Sequence, residues 1–210
     1  MSVQAPRRRD AARSRSAILD AAERLFAERG PRGVSLGEVG AAAGVSRATP
    51  SYFFGSKEGL HRAVLERAFA EREVAVREAF APVAAWSPGG GEPLRDALAR
   101  AVDGYLGFLL ERPAFAALLQ WEALDGGARL RDVPRESAAI HAAFAAVRQA
   151  LGARFDPDDA VLVVVSLVFS PLTQRSTFLA ALGRDLADPA AREHHVALVT
   201  GQLLHLMGAA

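Results

Sequence analysis

The 210-residue chain contains no cysteine, which excludes disulfides, thiolate metal sites and a cysteine nucleophile. No apolar run approaches the roughly 18 residues of a membrane-spanning helix, because Ser166, Ser170, Pro171 and Gln174 interrupt the longest one. The Arg-rich N-terminus lacks the apolar segment of a secretory signal, so the sequence reads as soluble and cytoplasmic, with no membrane partner. Lysine is almost missing: 24 of the 25 basic residues are Arg. Signatures of catalysis are missing too. The five histidines, His61, His141, His194, His195 and His205, have no HExxH spacing, and adjacent His194 and His195 point to different faces of a helix. There is no GxSxG, P-loop or GxGxxG, and the three glycines at 89–91 have no preceding strand. These absences argue against an enzyme, a metal centre or a bound cofactor.

Half of the residues are apolar, enough for a substantial core in one or two small domains. Net charge is only +1, but residues 1–60 hold ten Arg and Lys against six Asp and Glu, whereas the rest hold fifteen against eighteen. A basic head on a slightly acidic body is the asymmetry expected if one end meets nucleic acid.

Within the head, Ser35 followed by Glu38 forms a capping box and starts a helix at Leu36. Leu36, Val39 and Ala43 share one face of it. Gly44 supplies a left-handed stop, and Ser46 is a good N-cap for a second short helix. At 100° per residue, Pro50, Phe53 and Phe54 cluster on one side of that helix, while Ala48, Ser51 and Tyr52, flanked by Arg47 and Thr49, occupy the other. Gly55 and Ser56 break and recap the chain before a third helix headed by Lys57. A cation there opposes the helix dipole, which suggests an outside anion such as phosphate. Two short helices around a Gly turn form either a DNA-reading helix-turn-helix or an ordinary helical hairpin.

The stretch GVSRATPSYFFGSKEGL resembles the signature of TetR-type bacterial transcriptional regulators. The resemblance implies that Arg47, Thr49, Ser51 and Tyr52 face the groove or phosphates, and that Lys57 is a phosphate-binding lysine. With Ser35, Ser46 and Ala48 these form the expected DNA-binding set. The chemistry agrees: Arg reads guanine, Ser and Thr serve bases or phosphates, and Tyr offers a hydroxyl. Two residues depart from the family pattern, Ser51 where Tyr is usual and Phe53 where His or Tyr is frequent. They motivate an alternative, a helical dimeric interaction module without DNA function.

The remaining chain is expected to be all-α: a three-helix helix-turn-helix head on a larger helical ligand-binding and dimerisation body. Residues 1–12, with Arg7, Arg8 and Arg9, read as a basic disordered arm, either touching DNA or merely solvated. Residues 13–56 form the DNA-binding domain and 57–210 the body. Ile18, Ala21, Ala22, Leu25 and Phe26 make the first helix's apolar stripe, and Arg13, Ser14 and Arg15 at its start can reach a phosphate. Later helices span about 57–80, 93–111, 113–125, 134–151, 157–182 with a kink at Pro171, and 189–207. The run AVLVVVSLVFS is apolar on nearly every side and needs cover, either in an internal core or against a second copy. TetR-type proteins dimerise through their last two helices, so the resemblance implies a homodimer through about 157–182 and 189–207, bound to a palindromic double-stranded DNA operator. In the middle helices Tyr105, Phe108, Phe115, Trp121, Glu122, His141, Phe144 and Phe169 are candidates to line a pocket for a small apolar effector, although each alone also suits an ordinary core. The resemblance implies a repressor that such an effector releases.

Overall fold

The computed structural model describes residues 4–131 and 138–209. Every regular element among them is helical: α1 (Gln4–Arg29), α2 (Leu36–Ala42), α3 (Thr49–Phe54), α4 (Lys57–Ala84), α5 (Leu94–Glu111), α6 (Pro113–Leu124), α7 (Ala138–Leu151), α8 (Pro157–Val164), α9 (Ser170–Thr173) and α10 (Pro189–Met207). No helix among the described residues is long and apolar enough to cross a membrane. Two compact units emerge, residues 4–70 with 117–131 and residues 71–116 with 138–209, so α4 and α6 each contribute to both.

In the first unit α1, α2 and α3 pack on one another. Its core holds Ile18, Ala22, Phe26, Val34, Val39, Leu60, Val64 and Leu118, all nearly or fully buried. Arg67 of α4 clamps α1, reaching Asp20 and Glu23 at 2.5 Å each. Helix α1 begins at Gln4, so residues 4–12 are helical rather than the expected disordered arm. Ala5, Ala11, Ala12 and the arginines are strong helix formers, and their propensity outweighs the charge that suggested disorder.

In the second unit α5 packs on α10, and α7 and α10 on α8. Leu98, Val102, Tyr105, Leu106, Ile140, Phe144, Val164 and Leu203 fill its core. Asp156 and Asp188 cap the starts of α8 and α10: Asp156 accepts from the Asp158 N–H at 3.0 Å, and Asp188 from the Ala191 N–H at 2.9 Å. The proposed start of the 134–151 helix falls partly outside the described residues, which resume within α7.

The apolar run departs from a plain kinked helix. Beyond Val164 the chain widens into a π turn (Val165–Phe169), then α9, then a second π turn (Arg175–Leu179). Pro171 has no N–H to offer the carbonyl four residues back, which is that of Leu167. His195 of α10 meets that carbonyl through Nε2 at 2.7 Å, which fixes the hydrogen on Nε2 because a carbonyl only accepts. We predict that His195→Ala costs about 1–3 kcal/mol, the cost of stranding a part-buried acceptor. The loss should shrink in a Pro171→Ala background, where a backbone N–H returns; thermal denaturation of both pairs at fixed protein concentration measures the coupling.

Candidate nucleic-acid interface

The helix-turn-helix is built from local signals that the structure realises atom by atom. The Glu38 N–H donates to Ser35 Oγ at 3.3 Å, and the Ser35 N–H returns a bond to Glu38 Oε2 at 2.8 Å. Arg29 of α1 adds an ion pair at 2.9 Å. The Ser35 hydroxyl, its N–H and Arg29 together hold the Glu38 carboxyl down at about 2. Gly44, at φ 69°, then turns the chain, and the Val45 N–H closes the end of α2 on the Gly40 carbonyl at 2.9 Å.

Gly40 is a functional position that periodicity does not reveal. A Cβ on it would lie 2.9 Å from the Ser46 carbonyl oxygen and 3.2 Å from the Arg47 Cα, both backbone. The missing side chain lets α2 touch the turn that leads into α3. A glycine inside a short helix disfavours that helix by about 1 kcal/mol, and this was the available signal that something approaches closely.

Helix α3 begins at Thr49, so Ser46 is not its N-cap; Ser46 Oγ instead shares a hydrogen bond with Thr49 Oγ1 at 2.8 Å. Two residues of turn separate Ser46 from the helix, which puts its hydroxyl beyond the N–H groups it was expected to cap. Pro50 is buried in the first turn, and Phe53 and Phe54 are half-buried. Ser35, Ser46, Arg47, Ala48, Ser51 and Tyr52 are exposed, Tyr52 to 84 %, and Thr49 and Lys57 are half-exposed. Phe53 stacks edge-on against Tyr52 at 5.3 Å, so it braces that ring from the packed side. The Arg15 guanidinium lies 5.0 Å from the Phe54 ring centre, tying α1 to α3.

The proposed effector residues are not brought together as one set. In the second unit Phe115 meets both Phe108 and Phe169 at 6.3 Å, Tyr105 accepts from Arg72 Nε at 3.0 Å, and Phe144 packs on Phe80 at 5.7 Å. His141 does not face the interior: its side chain is half exposed and pairs with Asp158 at 3.2 Å. It sits on the polar side of α7, one residue beyond buried Ile140. Trp121 and Glu122 serve the first unit. Trp121 Nε1 donates to the Ala27 carbonyl at 3.2 Å with its ring against Gly30, and Glu122, fully buried, pairs with Arg129 at 3.3 Å and faces His61 at 3.7 Å. Ala27, Gly30 and His61 are far from these two residues in the sequence, so helical spacing does not show these contacts.

Burial first, and then the Arg129 charge, push the His61 imidazole down to about 4. The folded value lies below the usual one of 6.5, so the unfolded chain binds the proton more tightly. Stability attributable to His61 is therefore complete above pH 6.5 and is lost as pH falls toward 4, by about 3 kcal/mol at most. Urea titrations across this window in chloride buffer should show that slope, and His61→Leu should flatten it. A second prediction concerns Gly40→Ala: despite alanine's better helix propensity, crowding should lower stability by about 1–3 kcal/mol, read by thermal melting.

Against known proteins, the model for bacterial regulatory proteins of the tetR family matches residues 18–64, and a tetracyclin repressor-like C-terminal domain matches residues 95–201. An uncharacterized HTH-type transcriptional regulator of Mycobacterium tuberculosis is 50% identical over 50 residues, 24% of this chain and 25% of that protein. The chain thus spans about a quarter of the length of the curated relatives it matches. Among solved structures, a TetR-family protein of Mesorhizobium loti aligns with TM-score 0.72 at 18% identity, over 93% of this chain and 96% of its own. The fatty acid degradation regulator FadR of Bacillus halodurans gives 0.69 at 16%, over 90% and 94%. A TetR family transcription regulator of Marinobacter aquaeolei gives 0.64 at 22%, over 95% and 97%. At these identities the structures speak for the fold alone, whereas the two sequence models together cover both head and body. The chain belongs to the TetR family of bacterial transcriptional regulators.

Proposed function

We propose that this DNA-binding regulator acts in the cytoplasm as a repressor, binding a palindromic operator as a homodimer and leaving it when a small apolar effector binds the body. The observation that carries the reading is one exposed polar surface, made by Arg47 in the turn before α3 and by Ser51 and Tyr52 of α3, while Pro50 is buried. Arg47 suits guanine, and the hydroxyls of Thr49, Ser51 and Tyr52 suit bases or phosphates. Lys57 and Ser46 flank them as phosphate contacts.

Support for the dimer comes from apolar surface that a single copy leaves in water. Leu162 is 63 % exposed, Phe178 68 % and Leu182 65 %, and Leu198 of α10 is also exposed. Such residues on the last two helical segments suit a self-complementary two-fold contact. Two recognition helices held about 34 Å apart then match successive major grooves. For the effector, Phe108, Phe115 and Phe169, in ring contact with one another, offer apolar and aromatic surface within the second unit, to which Tyr105 and Phe144 also belong.

The test uses duplexes that the full chain selects from a random pool, followed by fluorescence anisotropy. Affinity should fall steeply with salt, and Arg47→Ala should weaken it roughly 10- to 100-fold, about 1–3 kcal/mol. Binding that ignores both salt and Arg47 would contradict the reading. Phe178→Glu should shift the protein to monomer in light scattering and weaken binding to the full palindrome more than to a half-site.

A further inference from the structure

At the head of α4 six residues line a cavity of about 80 Å³: Pro31, Arg32, Lys57, Glu58, His61 and Arg129. All belong to the first unit. His61 is 1 % exposed, yet among the described residues neither of its ring nitrogens has a hydrogen-bond partner. The nearest carboxylate oxygen, on Glu122, is 3.7 Å away, too far for a hydrogen bond. An imidazole always carries at least one N–H, and a buried donor of this kind ordinarily has an acceptor.

The charges around the cavity say what kind of acceptor. Asp125 is shared by Arg32 at 2.8 Å and Arg129 at 2.5 Å, and Glu122 is matched by Arg129. The Glu58 carboxylate is engaged by its own backbone N–H and by Ser56, which lower its pKa. Lys57, the single lysine of the chain, has no ion-pair partner among the described residues and stands where the 28-residue α4 begins. The first turn of α4 is already engaged, the Gly59 N–H by Ser56 Oγ at 3.1 Å and the Glu58 N–H by its own carboxylate, so what is left without a counterpart is one ammonium and a buried imidazole donor.

We propose that this cavity binds a small oxyanion of phosphate or carboxylate size, held by the Lys57 ammonium and an N–H of His61. The anion also reverses the unfavourable setting of the imidazole, so binding draws a proton onto His61 against the charges of Arg32 and Arg129 and with those of Glu58, Glu122 and Asp125. Resting on the proposed function, a free oxyanion would then compete with a duplex phosphate for Lys57.

Binding is tested on the full chain without DNA, so its failure is separate from any failure of DNA recognition. Inorganic phosphate, and in a second arm acetate, replaces chloride at constant ionic strength while NMR follows the His61 imidazole. The expected result is a saturable shift of the His61 signals with a raised apparent pKa, weakened at least about tenfold in Lys57→Gln, since one charge-assisted contact is worth about that much. Saturation by phosphate alone identifies a phosphate site, by acetate alone a carboxylate site, and by both a general oxyanion site. No saturable shift in either arm, or one that persists unchanged in Lys57→Gln, overturns the proposal and leaves water as the partner of His61.

Discussion

The backbone of α2 lies so close to the turn after it that one methyl group at residue 40 has no room, and the outward side chains of α3 take their places from that contact. The capping box of Ser35 and Glu38 fixes where α2 starts, and Gly44 fixes where it stops. Between those two points Gly40 decides how near α3 can come. Phe54 under Arg15, and Arg67 across Asp20 and Glu23, then tie α3 and α4 back to α1. A short helix of six residues is not stable alone, so its exposed polar side exists only because the packed side is held from three directions.

Polar groups behind this head are arranged with less margin. His61 and Glu122 are both buried; Arg129, itself shared with Asp125, offsets the Glu122 carboxylate and at the same time opposes a proton on His61. A buried ionisable group short of partners is expensive, which is why burial depresses the basicity of His61 so far. It also makes the head of α4 a place where a proton or an anion can change the local balance. The second unit solves a related problem at Pro171, where a missing N–H is answered by a wider turn and by the side chain of His195.

Features written within a few residues were legible in the sequence. The capping box and the Gly44 turn are local chemistry, and the stripe of α1 follows from helical spacing. The family signature likewise lies in one continuous stretch. Distant partners were not legible. Nothing in the spacing around Trp121 and Glu122 shows that Ala27, Gly30 and His61, remote in the chain, meet them. The π turns depend on how Pro171 is accommodated, and the early start of α1 on propensity overcoming repulsion among arginines, neither of which periodicity measures.

Because the chain has no cysteine, a nitroxide placed through Ala48→Cys reports from the exposed side of α3 alone. The most direct measurement is the spectrum and pair distance of that label with and without a selected palindromic duplex. The account predicts immobilisation on binding and a single distance of roughly 30–40 Å between two copies, set by one turn of DNA. A label equally mobile in both states, with no defined pair distance, would contradict it.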